Sequence, residues 1–79
     1  MKVGDIVYYA RIMPNVGLYD VYELKIRTVE DDWFAGVEKS EKHVYLFHNC
    51  DIGKVIFNER HDALEVVTMA EDKKGQTGD

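Results

Sequence analysis

The stretch from Val21 to Glu38, VYELKIRTVEDDWFAGVE, limits the possible folds of this chain more than any other. Tyr22, Leu24 and Ile26 alternate with Glu23, Lys25 and Arg27. A period of two puts the first set on one face of a strand and the second on the other, so one face is buried and one meets water. Glu30, Asp31 and Asp32 follow. Three like charges repel unless solvated, so they predict an exposed turn. Trp33, Phe34 and Val37 then bring large β-favouring side chains back along a return strand. Tyr22, Leu24, Ile26 and Phe34 are the predicted inward set. Gly36 lies within the return strand, where a glycine often marks a bulge or sharp bend. Such a bend suits a sheet that curls into a barrel.

The flanking segments extend this pattern. After the turn-forming Gly4-Asp5, residues from about Asp5 to Ile12 are rich in β-branched and aromatic side chains. Ile6, Tyr8, Ala10 and Ile12 share one face of that strand, and Val7, Tyr9 and Arg11 share the other. Two apolar faces predict a curling strand covered partly on each side. Pro14 lacks a backbone donor and holds Met13 extended, while Asn15 and Gly17 tolerate positive φ, so Met13–Gly17 is a connection. Lys39–Lys42 reads as a polar hairpin loop, and His43–Phe47 as the next strand. Val44 and Leu46 lie on one face of it and His43, Tyr45 and Phe47 on the other. A turn-rich loop from His48 to Gly53 leads to a short last strand, Lys54–Phe57.

Beyond Phe57 the apolar period changes from two to 3.6. Asn58 or Glu59 is the predicted cap of a helix from about Arg60 to Glu71, with Glu59 and Asp62 placing negative charge at its N-terminal end. Ala63, Leu64, Val67 and Ala70 form its apolar stripe, with Val66 on the edge and Met69 beyond. Residues 73–79 have no apolar side chain to bury and read as a flexible tail. Five short strands and one helix predict a mainly β fold: a small five-stranded antiparallel SH3-like barrel with a C-terminal α-helix, forming one domain over residues 1–72.

Composition narrows the class. Of the 79 residues, 46% are hydrophobic and 32% charged, which suits a folded domain rather than a disordered one. The longest uncharged apolar run falls far short of the roughly 20 residues that span a bilayer. The N-terminus meets Asp5 where a signal peptide would turn apolar, so the expected compartment is the cytoplasm. The single cysteine, Cys50, fits a reducing compartment and excludes an intramolecular disulfide. A net charge of −5 disfavours a general affinity for nucleic acid, which rests on Lys and Arg neutralising phosphates.

The opening KVGDIVYY resembles the first strand of small SH3-like barrels, including KOW and Tudor-like modules, which often begin with a Lys-x-Gly-Asp-x-Val pattern. VIFNERHDALEVV resembles the strand, charged cap and Ala-rich helix that end small proteins of Firmicutes genomes and their prophages. Together the resemblance spans residues 2 to about 72. It implies a barrel used as a binding or interaction module and carries over no functional residue. A KOW module usually bears a more basic nucleic-acid-facing loop than this chain offers.

Sites of chemistry are sparse. His43, His48, Cys50 and His61 fall close together, and His43 and His48 have zinc-compatible spacing, but a single cysteine is a poor match for a structural zinc site. Cys50 and His48 are near in sequence without a third group to orient a base. The glycines are isolated, so no phosphate loop is present. The chain therefore reads as non-enzymatic, with no metal or cofactor. Its aromatic surplus is the informative feature, because Tyr and Trp are amphipathic and enriched at binding patches. The predicted interaction surface contains Tyr9, Tyr19 and Trp33 beside the Met13–Tyr19 loop, with Lys25 and Arg27 on the outer face of the hairpin. The expected partner is a protein or a second copy of the chain. The alternative is a KOW-type nucleic-acid contact through Lys25, Arg27, Lys39 and Lys42, with Trp33 or Tyr45 for stacking, and a distant one is a small hydrolase or metal-binding protein.

Overall fold

The computed structural model describes the backbone of residues 1–77 and the side chains of residues 1–73. Five strands, β1 (Ile6–Met13), β2 (Leu18–Val29), β3 (Trp33–Glu38), β4 (Val44–His48) and β5 (Ile56–Phe57), precede one helix, α1 (Arg60–Thr77). The strands form a single antiparallel sheet in the order β4-β3-β2-β1-β5. The sheet curls into a half-barrel with β4 and β5 as its two edges.

Local chemistry explains the joints. Pro14 starts a single 3₁₀ turn, Pro14–Val16, and Gly17 closes it at φ 69° with its N–H donated to the Pro14 carbonyl. That left-handed conformation costs glycine nothing and a β-branched residue much more. The acidic turn at 30–32 is exposed, as its charge requires. Asn49 ties the loop after β4 to this turn by donating its side-chain amide to the Asp31 carbonyl at 2.7 Å and its backbone N–H to Asp32 at 3.0 Å.

The ladder between β2 and β3 is irregular at one place, opposite Gly36 and Ala35. Gly36 pairs regularly with Ile26 on one side and with Tyr45 on the other. The register slips between Ile26 and Thr28, so Arg27 is the extra residue of a β-bulge on the partner strand. A bulge bends its own strand and raises the local twist. Gly36, paired with Ile26 at the edge of the slip, thus marks the place of the bulge, while the extra residue itself belongs to β2. The role of Gly36 is steric: a Cβ there would lie 3.1 Å from Leu24 Cβ and 3.4 Å from Leu24 Cδ1.

Two apolar clusters divide the two faces of the sheet. On the concave face, Val7, Leu24, Ile26, Phe34, Phe47 and Ile56 are buried together, with Tyr9, Tyr22, Tyr45 and Val55 packed against them. On the convex face, Ala10 of β1 meets Ala63 and Val67 of α1, and Tyr8, Ile12, Tyr19, Val21 and Phe57 surround the contact. Small residues on both sides let the helix approach the sheet closely. The predicted alternation of β1 and its two covered faces appear as expected. The helix differs in two respects. It runs to Thr77, past the expected end at Glu71, so of the predicted tail only residues 78–79 lie outside the described residues. Leu64 is 43% exposed, and Val66 takes its place beside the buried Ala63 and Val67, because the i, i+3, i+4 set faces the sheet.

Candidate functional site: a tyrosine groove on the concave face

Tyr9 and Arg11 follow each other on the concave side of β1, and the register sets Tyr22 of β2 directly opposite Tyr9. Their rings meet edge to face at 6.2 Å. Tyr45 arrives from β4, on the far side of β3, and its ring centre lies 5.6 Å from Tyr9 and 6.2 Å from Tyr22. The β3 residue paired with Tyr45 is Gly36, which has no side chain to hold these rings apart. Phe47 closes the base of the cluster at 4.9 Å from Tyr9.

Arg11 rests on this aromatic floor. Its guanidinium carbon lies 5.6 Å from the ring centres of both Tyr22 and Tyr45. Arg11 Nη1 also donates to the Tyr45 hydroxyl at 3.0 Å. The negative face of each ring attracts the cation, and the hydroxyl fixes its orientation. Above the rings opens a groove of about 680 Å³, whose other wall carries Asp20, Glu38 and Glu41.

Glu38 is the best anchored of these acids. Its Oε1 accepts from the Ser40 hydroxyl at 2.7 Å and the Ser40 N–H at 3.0 Å, and its Oε2 accepts from the Glu41 N–H at 2.7 Å. The Ser40 hydroxyl, then the two backbone N–H groups, hold its carboxyl below the usual range. Glu38 is thus a fixed anion at neutral pH. Burial pushes the Tyr9 phenol up from its usual value, against the opposing pull of Arg11. The groove therefore pairs an aromatic floor with an anionic wall, a combination suited to a cation.

The predicted surface residues are not gathered in one place. Tyr9 belongs to the concave cluster, whereas Tyr19 is packed beside the helix on the convex face. Trp33 stands at the far end of β3, 38% exposed, in a shallow apolar depression with Leu46 and His48. The structure separates these three because even and odd positions of paired strands face opposite ways, and only the register shows which parity is concave. Lys25 does join Lys39 and Lys42, around Ile6 and Val37, in a convex-face groove of about 450 Å³. Lys39 there pairs with Glu23 at 3.6 Å. Arg27 sits apart at the bulge, and Tyr45 opens onto the opposite face. Sequence reasoning missed Arg11 and Tyr22 as neighbours of Tyr45. Their shared parity was legible, but their meeting across β3 was not.

Of the histidines, His43 lies 3.6 Å from Glu41, His61 lies 3.9 Å from Glu65, and His48 takes part in the cap of the turn Asn49–Asp51. Among the described residues, no three His, Cys, Asp or Glu side chains converge as a metal site, and no helix is long and apolar enough to cross a membrane. Comparison with known proteins brings no match: no family, no curated protein and no solved structure corresponds to this chain.

Proposed function

We propose that this chain is a non-enzymatic cytoplasmic interaction module whose tyrosine groove takes a basic side chain, Arg or Lys, from a protein partner. One observation carries the reading: Arg11 already lies over Tyr22 and Tyr45 with its guanidinium hydrogen-bonded to a phenol. An intramolecular cation in this position is a working example of the ligand chemistry. Asp20, Glu38 and Glu41 supply the complementary charge. The resemblance to SH3-like and Tudor-like barrels supports it, since those modules use exposed aromatics to bind peptides or methylated side chains.

Titration of the full chain with short, flexible peptides that differ only in one central residue provides the test. Arg and Lys peptides are expected to bind and to shift the ring resonances of Tyr22 and Tyr45, whereas a Glu peptide is not. Tyr22→Ala should weaken the Arg peptide by roughly 1 kcal/mol, the scale of a partly exposed cation–aromatic contact. Equal affinity for the Glu and Arg peptides, or no response to Tyr22→Ala, would overturn the reading.

The second reading, a KOW-type nucleic-acid contact, draws on Lys25, Lys39 and Lys42 lining one groove. Trp33 and Tyr45 do not line that groove, so the basic cluster lacks a stacking platform beside it. Filter binding of single-stranded nucleic acid at low salt distinguishes the two readings.

A further inference from the structure

We propose that β4 pairs with β4 of a second copy, antiparallel about a two-fold axis at Tyr45, so that two half-barrels share one continuous sheet. The two edges of the sheet differ in a way that points to this. The outer side of β5 is occupied: the strand has two residues, Gly53 N–H is donated to the Ile56 carbonyl at 2.8 Å, and Ile52 bridges to Ile56. β4 has five residues, VYLFH, with no Pro, Lys or carboxylate and no irregularity in its ladder. Those are the usual devices that keep an edge from pairing, and β4 lacks them.

The hydrogen-bond alternation identifies the free groups. Glu38 N–H is donated to the His43 carbonyl at 2.8 Å, and Asn49 N–H to the Asp32 carbonyl at 3.0 Å. In an antiparallel ladder alternate residues turn their backbone groups to the same neighbour. With the observed register, His43, Tyr45, Phe47 and Asn49 therefore face β3. Val44, Leu46 and His48 face outward. His48 N–H is already donated to Asp51 Oδ2 at 3.1 Å. The N–H and C=O of Val44 and of Leu46 remain, and they have no partner among the described residues.

These four groups match themselves. With Tyr45 opposite Tyr45 of the second copy, Val44 lies opposite the second copy's Leu46, and Leu46 opposite its Val44. Each pair exchanges two N–H···O=C bonds, so every free group is used. The same register brings the exposed side chains of Val44 (46%) and Leu46 (70%) together on the convex face. Within the paired strands, Val44 to His48, no residue carries a carboxylate, so no carboxylate faces another across the seam. For a chain of net charge −5, that uncharged strip is where two copies meet with least repulsion.

The test is sedimentation equilibrium of the full chain, beside variants at the two outward positions. Wild type is expected to show a concentration-dependent monomer–dimer equilibrium. Leu46→Glu and Val44→Lys should each raise the dimer dissociation constant roughly tenfold or more, with an unchanged circular dichroism spectrum, because like charges or bare charges would then sit in the seam. Mixing the two variants should restore a dimer, since the two-fold register places the new Glu opposite the new Lys. A wild type that stays monomeric up to about 1 mM, the concentration scale of the weakest specific pairing, would overturn the proposal. So would a dimer indifferent to Leu46→Glu, or two variants that fail to recover on mixing. None of these results depends on peptide binding in the tyrosine groove, so the two proposals stand or fall separately.

Discussion

The convex face of the sheet is divided between two regimes. Where α1 rests on β1 and β2 it is sealed: Ala10 of β1 and Ala63 of α1 are 1% and 0% exposed. Over β3 and β4 the same outward parity buries the small Ala35 but leaves Val44, Leu46 and Trp33 in contact with water. A cross-strand row, Ile6, Lys25, Val37 and Val44, runs from one half into the other without a break in register. Apolar character therefore does not decide burial here. For the larger side chains, what decides it is where α1 comes to rest, and small residues select that place.

The sharpest way to break the comparison is to put a carboxylate in each half. Ala63→Glu would force a charge into a contact with no room and no partner, and should cost more than about 3 kcal/mol or prevent folding. Leu46→Glu, on the bare half, should change the stability of the monomer by less than about 0.5 kcal/mol. Urea unfolding of the two variants measures both. Equal destabilisation would mean that the bare half is covered in solution by something other than a weakly bound second copy.

A smaller effect tests whether the bare half is loosely built on its concave side as well. Gly36 lies there, and a Cβ would meet the fixed Leu24 Cβ at 3.1 Å. Gly36→Ala should destabilise by about 1–2 kcal/mol through overpacking, despite the usual gain from removing a glycine from a strand. A stabilised Gly36→Ala protein would show that the two strands can separate, and that the tyrosines do not need the gap.

The smallest effects are those of pH. The Tyr9 pKa is raised in the folded protein above its usual 10.0, chiefly by burial. The protonated phenol is thus favoured by folding, and its contribution is present below pH 10 and lost as pH rises through the folded value. Tyr9→Phe should flatten that alkaline decline. Glu38 behaves oppositely: its pKa is lowered from 4.5 by Ser40 and Glu41. Its contribution is present above that usual value and lost as pH falls through the lower folded one. Glu38→Gln should remove this acid-side slope. Because Glu38 lies at the surface, where solvent screens its charge, the acid-side change should be the weaker of the two. Thermal melting across pH 3–5 and pH 9–11, windows bracketing the two usual values, reads both signs.

Much of this architecture was legible along the chain. Pro14, Gly17 and the acidic run Glu30–Asp32 end strands for reasons local to those residues. The alternation of Tyr22, Leu24 and Ile26 assigns them one face, and the spacing of Ala63, Val67 and Ala70 assigns a helix. Gly36 pointed to the place of the bulge but not to Arg27 as its extra residue, because a bulge is a property of two strands in register and not of one residue. The helix runs past Glu71 although Glu71, Asp72 and Lys73 are all exposed, since a helix once begun continues at the cost of only one more residue.

By itself, then, the sequence determined period, turns and parity: which side chains travel together, and where the chain reverses. Those depend on covalent geometry and on near neighbours. Only the tertiary structure decided which parity is concave, which half of the convex face the helix covers, and that Tyr9, Tyr22 and Tyr45 meet around Arg11. These depend on the strand order β4-β3-β2-β1-β5 and on contacts distant along the chain. A local pattern holds no information about them until the sheet has curled around its core.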